Sequence, residues 1–235
     1  MRKVSLCITN YNRVNEVTRS FEEVMGDERI SEIIISDDCS ETQHFHLLRE
    51  LILHLNKKCN GKIYVKRNAE NLGMSRNKAK AIEHAANDFC IIFDSDNIME
   101  KRYLDALYKR NWFPDIILMP DFAKPHFDYR QFREQRINKF NIKRFLRRNL
   151  FDCLMNTCNY FVHRQTYLDV FQHNPEIKGS DTIWLNYLWL KAGYSFLVIP
   201  QMEYEHTVHN NSGFLQDADY NFKKADEIKK MMLSL

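Results

Sequence analysis

Three clusters of polar residues each follow a short apolar run in the first half of the chain. The clusters occupy residues 9–13, 37–40 and 94–97, and the second and third each contain a pair of aspartates. Asp94 and Asp96 supply the hard carboxylate oxygens that Mg²⁺ and Mn²⁺ prefer. The sequence has neither a G-x-G-x-x-G nor a G-x-x-x-x-G-K-[ST] phosphate loop. The clusters therefore predict a site at which a divalent cation balances the charge of bound phosphates.

The apolar runs that precede these clusters are the elements that must position them. They are typical of strands buried on both faces of a parallel sheet, and they occupy residues 4–9, 33–36, 62–65, 89–93 and 115–119. Helical spacing of apolar residues predicts helices over 14–25, 43–56 and 75–87, the last with Ser75 as its N-cap. This alternation predicts a doubly wound α/β domain, in which ligands bind at the carboxyl ends of the strands.

The second half of the chain has a different composition. Residues 121–150 are aromatic and basic without a strand period. Beyond them the pattern predicts strands at 155–162 and 195–200, a helix at 181–191 with Gly193 as its C-cap, and an amphipathic helix at 216–233. No Pro- or Gly-rich linker interrupts the chain, so we expect a single domain with an amphipathic C-terminal helix.

The formal net charge of +3 divides unevenly along the chain. Residues 133–148 carry seven basic residues and one acidic residue, a local charge of +6, so the rest of the chain is acidic by −3. Within this segment Phe140, Ile142, Phe145 and Leu146 alternate with the cations, as in a helix lying on an anionic membrane. A solvated charged face is the common alternative. We keep peripheral membrane contact through 133–148 as a hypothesis and expect no nucleic-acid partner, because no RNA- or DNA-binding motif is present.

Composition narrows the class of protein and its compartment. The chain has 235 residues, 44% of them apolar, and a mean hydropathy of −0.51, as expected of a folded globular protein. No apolar run approaches the roughly 18–20 residues that span a bilayer, so we expect neither a membrane anchor nor a secretory signal. The six cysteines include no C-x-x-C pair, which favours a reducing cytoplasm.

Four segments of the first half form a recognisable series, in the order SLCITNYNR, IIISDDCS, NLGMSRNKA and FDSDN. Segments at 179–184, 191–194 and 199–206, followed by Ser212, continue the series. Together they resemble the GT-A glycosyltransferases of family 2 over residues 3–214. The resemblance implies the GT-A fold, a Rossmann-like, doubly wound mixed sheet flanked by helices. It also implies transfer of a sugar from a nucleotide diphospho-sugar, with inversion at the anomeric carbon.

The resemblance also implies which residues bind the donor. Those residues are Thr9, Tyr11, Asp38, Arg76, Asp94 and Ser95. By the family pattern, Thr9 and Tyr11 line the nucleotide pocket and Asp94 contacts the ribose. Asp38 accepts a hydrogen bond from the imide N–H of the base, which is a contact typical of uridine, and Arg76 faces the diphosphate or the base. The expected donor is therefore a UDP-sugar.

The metal and the catalytic base fall to other residues of the family pattern. Asp96 is expected to bind Mn²⁺ or Mg²⁺, with His206 or His209 completing the metal shell. Asp181 takes the place of the catalytic base, which removes the proton of the acceptor hydroxyl. In the family an acidic residue usually precedes this base; in this sequence Ser180 stands at that position.

The resulting prediction is a metal-dependent inverting glycosyltransferase, cytoplasmic or peripheral at the inner face of the membrane. Its acceptor is a saccharide or a lipid-linked molecule of surface polysaccharide or glycolipid synthesis. Residues 1–215 are assigned to the GT-A domain, with a donor-binding half at 1–120 and an acceptor half at 121–215. Residues 216–235 are assigned to the terminal helix.

Several alternatives stay open on sequence alone. Asp37 and Asp38 also suit a turn or a helix cap, and Asp181 suits the N-cap of a helix over 182–191. A nucleotidyltransferase could use the same carboxylate-bound metal, although the chain lacks the Gly-rich basic N-terminal loop of such enzymes. A non-catalytic scaffold that binds nucleotide-sugars or membranes is the alternative from another class.

Overall fold

A computed structural model of the chain describes residues 2–146, 159–207 and 215–235. Its strands are β1 (Val4–Asn10), β2 (Ile30–Asp37), β3 (Ile63–Arg67), β4 (Phe89–Asp94), β5 (Ile98–Met99), β6 (Ile116–Lys124), β7 (Phe127–Asp128), β8 (Arg136–Ile137), β9 (Phe161–His163) and β10 (Ser195–Glu205). Its helices are α1 (Val14–Arg19), α2 (Thr42–Asn56), α3 (Met74–Glu83), α4 (Lys101–Leu107), α5 (Ile142–Leu146), α6 (Arg164–Val170), α7 (Asp181–Lys191) and α8 (Ala218–Leu233).

The strands form one mixed sheet in the order β3-β2-β1-β4-β9-β6-β10-β5, with β7 paired to β6 and β8 to β10. The first four strands in this order are parallel, as predicted. β9 lies antiparallel between β4 and β6, and this inserted strand makes the sheet mixed. The division predicted at residue 120 falls inside β6, so the two halves of the chain share a strand.

Helices cover both faces of the sheet and create two apolar cores. On one face Cys7 of β1 packs in a cluster that includes Ala79 of α3 and Leu188 of α7. On the other face Leu6 and Ile8 of β1 belong to a cluster with α1, α2 and α4. Burial on both faces explains why the strand sequences are continuously apolar and do not alternate.

Several boundaries differ from those predicted. The helix predicted over 14–25 is α1 followed by a separate 3₁₀ turn, Glu22–Val24. Ser75 is not the N-cap of α3, because the N-cap is Gly73, two residues earlier at φ +79°, and the helix begins at Met74. β10 continues to Glu205 past an irregular register at Ile199 to Glu203. Half of the strand predicted at 155–162 lies outside the described residues, and in the described half Phe161 and Val162 belong to β9.

The basic segment does not form the predicted interfacial helix over its described part. Residues 133–146 contain β8 and the five-residue α5. Ile142 and Phe145 are buried in the core, so these two apolar side chains are not available to a membrane. Phe140, by contrast, is 87% exposed. Within the described residues no helix combines the length and the apolar character that a membrane-spanning segment requires.

Cysteines in the described part of the chain are mostly core residues. Cys7, Cys59 and Cys90 are buried, and Cys39 is partly exposed. Burial raises the pKa of the Cys7 thiol well above its ordinary value, which disfavours the reactive thiolate. These three buried thiols behave as small apolar side chains, in agreement with the absence of a C-x-x-C pair.

The C-terminal helix α8 anchors the segment that precedes α7. Asn221 of α8 is fully buried; its Oδ1 accepts from the backbone N–H of Gly179 at 2.9 Å. Its carbonyl oxygen accepts from Ser180 Oγ at 2.8 Å. The start of α7, and with it Asp181, is therefore fixed by a helix more than 30 residues further along the chain.

We expect Asn221→Ala to lower the free energy of unfolding by about 1–3 kcal/mol, because the Gly179 N–H loses its buried acceptor. Urea denaturation measures the change. Lys223→Ala, at an exposed position of the same helix, is the control and should shift the free energy of unfolding by less than about 0.5 kcal/mol. Equal effects of the two substitutions would contradict the anchoring role of Asn221.

Candidate active site

The carboxyl ends of β1, β2 and β4 meet at one edge of the sheet, as the sequence predicts. The strand register pairs Thr9 with Asp94 and Asn10 with Asp37. Thr9 Oγ1 donates to Asp94 Oδ1 at 3.3 Å. The three polar clusters therefore form one surface, because the parallel strands that carry them end at the same level.

Asp37 is a structural residue of this edge. Its side chain is fully buried and accepts hydrogen bonds from Asn10 Nδ2 at 2.9 Å and from Ser40 Oγ at 2.5 Å. The backbone N–H of Ser40 also donates to it, at 3.1 Å. Of the alternatives left open for this aspartate, the turn is therefore the observed one.

Asp38 fixes the segment that leads into α3. The residue is 3% exposed. Its Oδ1 accepts from the backbone N–H of Leu72 at 2.8 Å and from Asn68 Nδ2 at 2.9 Å. Its Oδ2 accepts from the N–H of Gly73 at 2.9 Å. Asp38 thus holds the loop that orients the first turn of α3, and its predicted contact with a nucleotide base stays a prediction.

The other predicted donor residues surround this edge. Arg76 is half-buried in the first turn of α3, and Tyr11 is 49% exposed beyond the end of β1. Ser95 follows Asp94 and is 2% exposed. Asn12, which the sequence analysis did not single out, joins two of the clusters: its N–H donates to Ser40 Oγ, and its Oδ1 accepts from the N–H of residue 41.

Asp96 is paired with a cation from the chain itself. Its Oδ2 forms an ion pair with the guanidinium of Arg13, the last residue of the first polar cluster. The two side chains are 16% and 27% exposed, respectively. Arg13 was not among the predicted site residues, although its place in the NYNR segment directly after β1 was a usable signal.

The carboxylates suit a hard divalent cation. Mg²⁺ is commonly bound by one or two carboxylates, with phosphate oxygens of the substrate completing its shell, and Asp94 and Asp96 provide such a pair. Among the residues that the structure describes, no group of three or more His, Cys, Asp or Glu side chains converges on a metal-sized site. Binding of a divalent cation by these carboxylates stays a prediction.

The two predicted histidine ligands have different outcomes. His206 lies beside Asn97, the residue after Asp96, with Nδ1 at 3.3 Å from the Asn97 Oδ1. Its ring also packs against Phe127, with ring centroids 4.7 Å apart. His209 lies outside the described residues. The histidine contribution to a metal shell stays a prediction.

Asp181 is the first residue of α7 and is 7% exposed. The N-cap position belongs to Ser180, so the alternative of Asp181 as the N-cap does not hold. Asp181 Oδ2 instead contacts the ammonium group of Lys78 at 2.7 Å, and the same ammonium lies 3.5 Å from Asp94 Oδ1. The sequence analysis missed Lys78, which could have been found from its place one helical turn before Ile82 on the apolar face of α3.

Comparison with known proteins identifies the class to which this fold and site belong. Residues 5–170 match the family model described as glycosyl transferase family 2. The chain is a member of that family.

Individual relatives agree with this assignment. The chain is 32% identical over 107 residues to the abequosyltransferase RfbV of Salmonella typhimurium, which covers 44% of this chain and 31% of that protein.

Solved structures share the fold. TarS residues 1–349 from S. aureus in complex with UDP-GlcNAc aligns at a TM-score of 0.70 and 14% identity, over 98% of this chain and 66% of that one. The mannosyltransferase PcManGT from Pyrobaculum calidifontis in complex with GDP-Man and Mn²⁺ aligns at a TM-score of 0.65 and 14% identity, over 97% and 65%. The chain thus has the GT-A fold in a single domain and spans only part of the length of these relatives.

We expect Asp38→Ala to lower the free energy of unfolding by about 1–3 kcal/mol, because the part-buried amides of Leu72 and Gly73 lose their acceptor. Hydrogen exchange at these two amides should accelerate more than exchange in β1. Glu70→Ala changes an exposed acid of the same segment and should leave both rates unchanged. Unchanged exchange at residues 72 and 73 in the Asp38 variant would show that other contacts hold the loop.

Proposed function

We propose that the protein is a metal-dependent inverting glycosyltransferase. It transfers a sugar from a UDP-sugar to a hydroxyl group of a saccharide or a lipid-linked acceptor. The observation that carries this proposal is the contact of Lys78 with both Asp94 and Asp181. The Lys78 ammonium lies 3.5 Å from the Asp94 carboxylate and 2.7 Å from the Asp181 carboxylate. The proposed donor-binding residue Asp94 and the proposed base Asp181 are therefore close neighbours.

The donor occupies the carboxyl edge of the sheet in this proposal. Thr9 and Tyr11 flank the nucleoside, and Asp94 contacts the ribose. Arg76, in the first turn of α3, faces the diphosphate. Ser95 directly follows Asp94 and belongs to the same donor-binding segment. The proposal for uridine rests on Asp38. TarS in complex with UDP-GlcNAc, which shares the fold, supports a nucleotide-sugar as the donor class.

The divalent cation belongs to the same end of the site. Asp96 would hold it, with His206 or His209 as a further ligand, and a cation bound there would supply positive charge to the departing diphosphate. Arg13 pairs with Oδ2 of Asp96, so ligation of a cation by that oxygen would require Arg13 to move. PcManGT in complex with GDP-Man and Mn²⁺ supports a divalent metal in this class of site.

Asp181 acts on the acceptor. Its carboxylate takes the proton from the acceptor hydroxyl as that oxygen forms the bond to the anomeric carbon. The bond between the anomeric carbon and the diphosphate oxygen breaks, and its electron pair leaves with the nucleoside diphosphate. Ser75, Tyr160 and Trp184 border a small depression at Asp181 and mark the side from which the acceptor approaches.

A thermal-shift panel of nucleotides and nucleotide-sugars, with and without Mn²⁺, tests the donor proposal. UDP and UDP-sugars should raise the melting temperature, and Mn²⁺ should increase the shift. Release of UDP from the best UDP-sugar, with water as the acceptor, then reports turnover. Stabilisation by a non-uridine nucleotide alone would overturn the assignment of Asp38, and turnover undiminished by EDTA would overturn the metal.

We expect Asp181→Asn to reduce turnover by ~10²–10⁴-fold, because a positioned general base contributes about that factor. The affinity for UDP with Mn²⁺, measured by calorimetry, should stay within about threefold of wild type, because the proposed role of Asp181 is at the acceptor and not at the nucleotide. Asp219→Asn, at an exposed position of α8, is the matched control. Wild-type turnover of Asp181→Asn would refute the base.

We propose peripheral membrane contact through Phe140, which is 87% exposed in the basic segment and flanked by Lys139 and Lys143. This contact would hold the enzyme at the inner face of the membrane, where lipid-linked acceptors lie. Anionic vesicles should retain the protein at low salt and release it at high salt, because the attraction is screened.

Phe140→Ser should reduce the vesicle-bound fraction, whereas Phe113→Ser, at an exposed position outside the basic segment, should not. Equal binding to anionic and zwitterionic vesicles, or none to either, would exclude the electrostatic contact.

A further inference from the structure

We propose that Lys78 is a positioning residue that holds Asp181 against the donor end of the site; this inference rests on the proposed function of Asp181. Lys78 comes from α3, Asp181 begins α7, and Asp94 ends β4. One ammonium group therefore connects the strand that carries the donor-binding aspartate to the helix that carries the base.

Lys78 is itself held rigidly. It is 7% exposed on a helix face whose neighbouring residues, Ala81 and Ile82, are fully buried. The preceding residue, Asn77, accepts from Ser36 Oγ at 2.7 Å and donates to the Ser36 carbonyl at 3.1 Å. The Cα end of the Lys78 side chain is thus held close to β2, and only the terminal atoms of the side chain can adjust to the position of Asp181.

Stability alone is a poor explanation for this ion pair. Burying an ammonium and a carboxylate costs desolvation energy that their attraction often does not recover, and apolar pairs of similar volume are frequently as stable. Lys78 and Asp181 have side chains only 9% and 7% exposed, so most of that cost applies to them. A buried pair that also contacts a donor-site carboxylate is better explained by the geometry that it imposes.

The geometry matters because a base acts only within hydrogen-bond reach of its proton. Misplacement by about 1 Å can reduce a rate by about 10²-fold. Asp181 is anchored at its backbone by the Ser180–Asn221 contact, but its carboxylate is oriented by Lys78. Loss of Lys78 should therefore move the carboxylate without releasing the nucleotide.

The decisive variant is Lys78→Met, with Lys78→Arg as the charge-conserving substitution. Lys78→Met should reduce kcat for UDP-sugar hydrolysis with Mn²⁺ by roughly 10²-fold. The KM for the UDP-sugar and the calorimetric affinity for UDP should each change by less than about threefold, because the substitution should not release the nucleotide. Lys78→Arg should recover part of kcat. Lys80→Met removes an exposed lysine of the same helix, paired only on the surface with Glu83, and should behave as wild type.

A double substitution tests whether Lys78 acts through Asp181. Lys78→Met combined with Asp181→Asn should be no slower than Asp181→Asn alone, because groups that act as a unit are not additive. Multiplicative losses would show an independent role. A loss of UDP affinity with unchanged kcat would make Lys78 a diphosphate ligand and overturn the proposal.

The outcomes separate this inference from the proposed function. If Asp181→Asn keeps wild-type turnover, the assignment of the base fails, whatever Lys78 does. If Asp181→Asn is inactive while Lys78→Met keeps full turnover, only the positioning role fails. Should Lys78→Met not fold, Lys78→Gln gives the same comparison with a polar neutral side chain, and full activity of that variant would equally overturn the inference.

Discussion

The central position of β1, paired in parallel with β2 on one side and β4 on the other, is the constraint on which the site depends. This pairing brings three strand ends to one level, and the polar residues that follow them share a single surface. Aspartates crowded there repel one another unless cations balance them. Arg13 and Lys78 provide that balance within the chain, one for Asp96 and the other for Asp94 and Asp181.

Roles divide between neighbouring aspartates according to burial. Asp37 is fully buried, and its carboxylate accepts hydrogen bonds from the turn after β2. The carboxylate of Asp38 accepts hydrogen bonds from the loop before α3. Asp94 and Asp96 are the more exposed pair and face cations. Paired aspartates at two strand ends thus differ in their partners: one pair accepts hydrogen bonds from its own loops, and the other pair contacts cationic side chains.

The sequence predicted the parallel strands, the helix over 181–191 and the meeting of the three polar clusters, because periodicity and strand-end chemistry are local properties. The strand predicted at 155–162 overlaps β9 at residues 161 and 162, but the antiparallel place of β9 between β4 and β6 was not predicted, since the direction of a short strand is set by its neighbours and not by its own pattern. Arg13 and Lys78 had local signals, in the place of Arg13 after β1 and of Lys78 on the apolar face of α3, but their partners Asp96 and Asp181 become evident only in the fold. Burial of Ile142 and Phe145 likewise depends on packing that no local pattern encodes.

The anchoring of Gly179 and Ser180 by Asn221 has a consequence for the order in which the site can assemble. A chain leaves the ribosome from its N-terminal end, and the edge at the ends of β1, β2 and β4, built from residues before 100, can form early. The start of α7 is not anchored by Asn221 until α8 has also left the ribosome. During synthesis the ends of β1, β2 and β4 can therefore come together before the start of α7, and with it Asp181, is held in place.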